Sequence, residues 1–163
     1  MATPPKAKTT TAPSKHPEAT AMLRADHQRV SGLFEQYEKT RSPAKKKDLV
    51  TTICNELSVH AQIEEEIFYP AVKKALRDKE LVPEATVEHA TLKSLIAQVE
   101  GAEPDGEMFD AKIKVLSEYV KHHVKEEQTQ MFPQAKKTAL DMRALGAQMA
   151  LRKDELLASR HTL

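Results

Sequence analysis

Two histidine–glutamate pairs carry the most chemistry in this 163-residue chain: His60 with Glu64, and His123 with Glu127. On an α-helix, residues four apart project from one face, one turn apart. The first pair lies on an apolar stripe with Leu49, Ile53, Leu57 and Ile67. The second lies on a stripe with Phe109, Ile113, Leu116, Val120 and Met131. A buried carboxylate must be protonated, ion-paired or metal-bound, because an unpartnered charge in a core costs several kcal/mol. No Lys or Arg recurs on those stripes to neutralise the glutamates. Two further histidines, His27 and His89, sit on apolar stripes of their own, beside Leu23, Val30 and Phe34, and beside Ala85, Leu92 and Ile96. Four imidazoles and two carboxylates converging in one core make a site for two cations. Imidazole and carboxylate without thiolate suit Fe, Mn or Zn, with Cu less favoured. Carboxylates that bridge two ions favour an iron or manganese pair, whereas structural zinc sites are usually mononuclear and closed.

These residues belong to an internal repeat. Each half carries a histidine, a glutamate four residues on, and a proline ten residues on with an aromatic before it: His60, Glu64, Tyr69, Pro70, and His123, Glu127, Phe132, Pro133. Each half also carries a lone histidine preceded by an acid, Asp26-His27 and Glu88-His89, lying 33 and 34 residues upstream of the paired histidine. His122 with Glu126 is a rival pair, rotated about 100° around the helix. The repeat and the apolar stripe both select His123 with Glu127, which leaves His122 at the surface or just outside the site. Glu56 reads as a partly exposed flank residue or an acceptor for an imidazole N–H. Cys54 reads as a small buried hydrophobe, and His16 and His161 carry no assigned role.

Positioning such a site requires long amphipathic helices, and the apolar spacing predicts four. They run from about 17 to 40, 44 to 77, 83 to 99 and 107 to 136. Ser42-Pro43, the stretch 78–83 and the stretch from Gly101 to Gly106 separate them. Pro70 and Pro133 fall inside helical patterns and should distort them. Short connections between long helices predict an all-α, antiparallel, up-down-up-down four-helix bundle over residues 17–137. A shorter amphipathic segment within 138–163 carries Leu145, Met149, Leu156 and Leu157. It can pack across the bundle or join a second copy in a homodimer. Residues 1–16 read as a disordered tail.

Composition bounds the setting. Acids and bases balance to a net charge of +1, so no nucleic-acid partner is expected. No apolar run approaches the roughly 20 residues that span a bilayer, so no membrane partner is expected either. The single cysteine excludes an internal disulfide, and with no apolar leader segment the expected location is cytoplasmic.

The paired motifs and their lone histidines resemble the hemerythrin-like family of HHE cation-binding domains, in its bacterial branch. The resemblance covers roughly residues 20–136. It implies two iron ions in an oxo- or hydroxo-bridged centre, with Mn or Zn as the lesser options. His27, His60, His89 and His123 would be terminal ligands, and Glu64 and Glu127 would bridge. The chain departs from the oxygen-carrying members at Lys93, where they have a fifth histidine, and at Glu127, where their acid is an Asp one residue later. That departure opens a coordination position unless Lys93, a tyrosine or Glu56 completes it. The expected function is to bind or sense a small ligand, O2, NO or peroxide. The alternatives are an enzyme with peroxidase-like or nitric-oxide-reducing activity, and an interaction bundle that metal merely stabilises.

Overall fold

Residues 16–161 are described in the structure, a computed structural model. The expected tail before His16 lies outside the described residues, as does the side chain of His161. The chain enters α1 (Ala19–Lys39) through Glu18, whose carboxylate accepts from the backbone N–H groups of Thr20 and Ala21. That side chain satisfies two donors that the first helical turn leaves open. Ser42 caps α2 (Pro43–Ile63), with Pro43 in the first turn where its missing N–H costs nothing. The expected turn at Ser42-Pro43 is therefore also a capping device. Helix α4 (Leu81–Val99) ends at Gly101, whose φ of +73° closes the helix in the left-handed region. Gly106, at φ +100°, opens α5 (Glu107–Glu126).

Both internal prolines distort their helices in the same way. Helix α2 runs into a π segment, Glu64–Phe68, and then α3 (Tyr69–Ala75). Helix α5 runs into a second π segment, Glu127–Met131, and then α6 (Phe132–Lys136). A proline ring clashes with the carbonyl four residues back and offers it no N–H. The helix answers by widening: the N–H of Tyr69 donates to the carbonyl of Glu64, and that of Phe132 to Glu127, five residues back in each case. Each π segment therefore begins at a glutamate of the repeated pair.

The expected four-helix bundle is present, with α1 beside α2 and α4 beside α5. The antiparallel arrangement divides the core into two apolar clusters. One gathers Leu23, Ile63, Phe68, Val82 and Phe132. The other gathers Phe34, Ile53, Cys54, Ile96, Ile113 and Leu116. Cys54 is buried as expected. The histidines and glutamates of the repeat form the polar layer between the clusters.

The C-terminal segment forms a fifth helix, as the sequence suggests. Helix α7 (Met142–His161) matches the bundle helices in length and lies against α1 and α2 of its own chain. Leu145 and Met149 enter the core, and Leu156 and Leu157 rest on it. Of the two expected placements, packing across the bundle is the one these four residues adopt. A Cβ on Gly146 would lie 2.3 Å from the carbonyl oxygen of Pro17 and 2.9 Å from the Ala19 nitrogen. Those atoms are backbone and cannot rotate away. Gly146→Ala gains roughly 1 kcal/mol of helix propensity but forces α7 off the bundle, which costs more. Thermal denaturation should show a loss of about 1–2 kcal/mol, or roughly 4 °C in a chain of this size. An unchanged or higher melting temperature would contradict this close approach. Among the described residues, no helix is long and apolar enough to cross a membrane.

Candidate metal centre

The four histidines arrive from four different helices, and their Nε2 atoms converge. His27 (α1) and His60 (α2) place theirs 3.2 Å apart, and His89 (α4) and His123 (α5) 3.3 Å apart. Glu64 and Glu127 lie between these two pairs. Glu64 Oε1 is 2.6 Å from His60 Nε2 and 3.8 Å from His89 Nε2. Glu127 Oε1 is 3.3 Å from His27 Nε2, while its Oε2 is 3.4 Å from His123 Nε2. The donors fall into two groups of metal-binding size, His27 with His60, Glu64 and Glu127, and His89 with His123 and Glu64. All six residues singled out in the sequence are brought together. Glu64 belongs to both groups, and Glu127 reaches both through its two oxygens.

What surrounds the imidazoles explains why Nε2 faces inward. The Nδ1–H of His60 donates to Asp26 Oδ2 at 2.9 Å, and that of His123 to Glu88 Oε1 at 3.0 Å. These are the two acids that precede the lone histidines in the repeat. His27 Nδ1 donates to Gln128 Oε1 at 2.7 Å. Fixing a proton on Nδ1 leaves the Nε2 lone pair free to ligate. Gln128 directly follows Glu127, and its counterpart Glu65 directly follows Glu64. Glu65 comes within only 3.9 Å of His89 Nδ1, too far for a hydrogen bond.

Three of the four glutamate oxygens lack a hydrogen-bond partner. Both Glu64 oxygens and Glu127 Oε1 are buried without a hydrogen bond, as is His89 Nδ1. The 2.6 Å approach of His60 Nε2 to Glu64 is not aligned as a hydrogen bond. It aims both atoms at one region of the core. Burial opposes a charge on His60, but Glu64 and Asp26 outweigh it and hold that imidazole well above its usual range. Burial and then the charge of Glu127 push the Glu64 carboxyl up to about 8. Burial opposes the charge on His123, but Glu127 and Glu88 outweigh it and hold that imidazole up at about 10. His89 goes the other way, down to about 3, through burial and its neighbour His123. A metal-free centre therefore carries protons that cations would displace. The donor set fits a pair of cations.

Tyr69 breaks the internal symmetry. Its hydroxyl donates to Glu127 Oε2 at 2.6 Å and lies 3.1 Å from His89 Nε2 and 3.4 Å from His123 Nε2. Its counterpart in the other half is Phe132, which stacks parallel to His27 with no polar atom to offer. The sequence marks both positions as the aromatic before proline without separating their roles. Of the three residues expected to complete the coordination, only a tyrosine is in place. Lys93 is half-exposed and bonds Glu65 at 2.7 and 2.8 Å. Glu56 pairs with Arg29 at 3.0 Å. Tyr69→Phe is expected to weaken metal retention on the His89–His123 side by about tenfold, the usual scale for losing such a group. Metal content measured against a graded chelator checks this, and retention equal to wild type would contradict it. Helix α7 also reaches the centre: Lys153 donates to Asp26 Oδ1 at 2.5 Å, behind the His60 bond.

A structure of an HHE cation-binding domain-containing protein from Mycobacterium kansasii superposes with a TM-score of 0.76 at 22% identity, covering 88% of this chain and 89% of that one. A protein named DNA nickase from Nostoc sp. is 28% identical over 111 residues. That match takes in 68% of this chain, which spans only 31% of the nickase. The hemerythrin HHE cation-binding domain family matches residues 18–135, which include every residue of the converging centre except the Lys153 contact. The chain belongs to the hemerythrin HHE cation-binding family.

Proposed function

We propose that the chain is a non-haem di-iron protein that binds or senses a small ligand, O2, NO or peroxide. One ion would be held by His27 and His60 and the other by His89 and His123, with Glu64 and Glu127 shared. The observation that carries the ligand reading is a cavity of ≈ 30 Å³ against the histidine layer. Its walls are Val30, Leu57, Leu92, Ile96 and Val120, and all four histidines border it. That volume holds about two water-sized bodies, so a diatomic or peroxide fits.

Iron in this donor set supplies Lewis acidity and redox capacity. The chain's own residues do the rest. Asp26, Glu88 and Gln128 orient the imidazoles. The apolar wall keeps bulk water from the ligand. Lys93 stands at the edge of the cavity, with its ammonium held by Glu65. Optical titration of the anaerobically iron-loaded protein with NO tests the proposal. Saturable spectral change at one NO or more per centre supports it, and an unaltered spectrum overturns it.

A second reading, turnover of peroxide or NO, is favoured by Tyr69. Its hydroxyl holds a proton within the centre, 2.6 Å from Glu127, where a buried general acid would stand. Burial and then the neighbouring glutamates push its pKa well up, so the proton is retained at neutral pH. Catalysed loss of peroxide or NO, abolished in His60→Ala and Glu127→Ala, would establish turnover over binding alone.

A further inference from the structure

Outside the buried centre, His122 stands between two carboxylates. Its Nε2 is 3.4 Å from Glu126 Oε1 and 3.5 Å from Glu88 Oε2. One ring nitrogen cannot donate well to both, and neither distance is that of a good hydrogen bond. Both distances match co-ligands of one ion: bonds of about 2.1 Å in tetrahedral geometry put ligand atoms about 3.4 Å apart. The three residues together have metal-binding spacing. The side chain of His122 is 60% exposed and that of Glu126 39%, so this cluster meets solvent.

A second observation connects it inward. Glu88 and Glu126 line a narrow cleft of ≈ 10 Å³ whose other walls include His123 and Glu127. Glu127 is 2% exposed, and its Oε1 turns inward to His27 Nε2, 3.3 Å away. Glu88 faces both ways. Its Oε2 looks to His122, and its Oε1 accepts from His123 Nδ1. A cation at the surface cluster would be one carboxylate away from a histidine of the buried centre. The donor types are again imidazole and carboxylate, which suit Fe(II), Mn(II) and Zn(II) alike.

We infer that Glu88, His122 and Glu126 form an exchangeable divalent-cation site, and that it is the port through which the buried centre loads. The port role rests on the two-metal reading of that centre, while the surface site stands independently of it. The test uses the full-length metal-free protein with Zn(II), then Fe(II) without oxygen. Wild type should bind one more Zn(II) than His122→Ala or Glu126→Gln at equilibrium dialysis. Both variants alter exposed side chains and should fold as wild type does. Rapid mixing with Fe(II) should fill the buried centre at least fivefold more slowly in the variants, to the same final content. Equal Zn(II) counts would overturn the surface site. A difference of one ion with equal Fe(II) filling rates would overturn the port. Tight binding of fewer than two ions in every form, with the difference of one retained, would overturn the two-metal reading and the port while upholding the surface site.

Discussion

Metal-free Glu64→Leu is expected to melt above metal-free wild type, by about 4–8 °C, and to lose the two-ion centre. Glu64 is fully buried, and neither of its oxygens has a hydrogen-bond partner. Without a cation, its carboxylate is a desolvated acid facing a second one, Glu127. Replacing a buried polar group that has no hydrogen-bond partner by an apolar residue of similar volume removes a desolvation cost of about 1–3 kcal/mol. A gain of about 2 kcal/mol corresponds to about 4–8 °C at this chain length. His60 keeps its bond to Asp26 in the variant, so the imidazole is not orphaned. In the presence of metal the order reverses, because Glu64 is the residue both ion positions share. Paired thermal melts with and without metal check this. A metal-free variant melting well below metal-free wild type would mean that Glu64 supports the fold through contacts of its own.

Chelating the metal from wild type is expected to lower the melting temperature by at least about 15 °C at pH 7. A ligand that binds only the folded state stabilises it by about 4 kcal/mol at a thousandfold excess over its dissociation constant. Two such ions give about 8 kcal/mol, and each kcal/mol is worth about 2–4 °C here. The difference should shrink as pH falls from 8 to 6. In the metal-free protein His123 is held up at about 10, because Glu127 and Glu88 outweigh its burial, and Glu64 at about 8 by burial and Glu127. Both hold protons near neutrality, and a cation must displace them. Acidification therefore favours the metal-free form. Melts at fixed free-metal concentration across that range provide the check, and a gap that widens toward pH 6 would contradict the assignment of these groups as ligands.

The six converging residues were legible because helical periodicity and the internal repeat act on the same positions. Spacing of four places His60 over Glu64, and the repeat separates His123 from His122. The same repeat flagged Asp26 and Glu88 as acids preceding the lone histidines, but not their task. Each serves the paired histidine 34 or 35 residues away, not the histidine beside it. That relation depends on how α1 meets α2 and α4 meets α5, which no single helix encodes. The prolines announced a distortion without specifying a π segment, and so hid Tyr69. In a regular α-helix, a residue five after Glu64 would point away from it. The wider turn brings it back toward the centre. Lys153 was illegible because the seat of α7 is set by the contact of Gly146 with the start of α1, which the pattern of α7 alone does not encode. The departure at Lys93 was visible in sequence, but its consequence was not. Only the structure reveals that the Lys93 ammonium is held by Glu65 while the side chain lines the cavity beside the histidines.

The two-metal claim is tested most directly by counting ions. Metal-free protein is loaded with Fe(II) without oxygen, passed through a weak chelator that strips exposed sites, and measured for iron per chain. Two tightly held irons are expected, falling to one or none in Glu64→Leu. One iron or fewer in wild type would contradict a dinuclear centre built on His27, His60, Glu64, His89, His123 and Glu127.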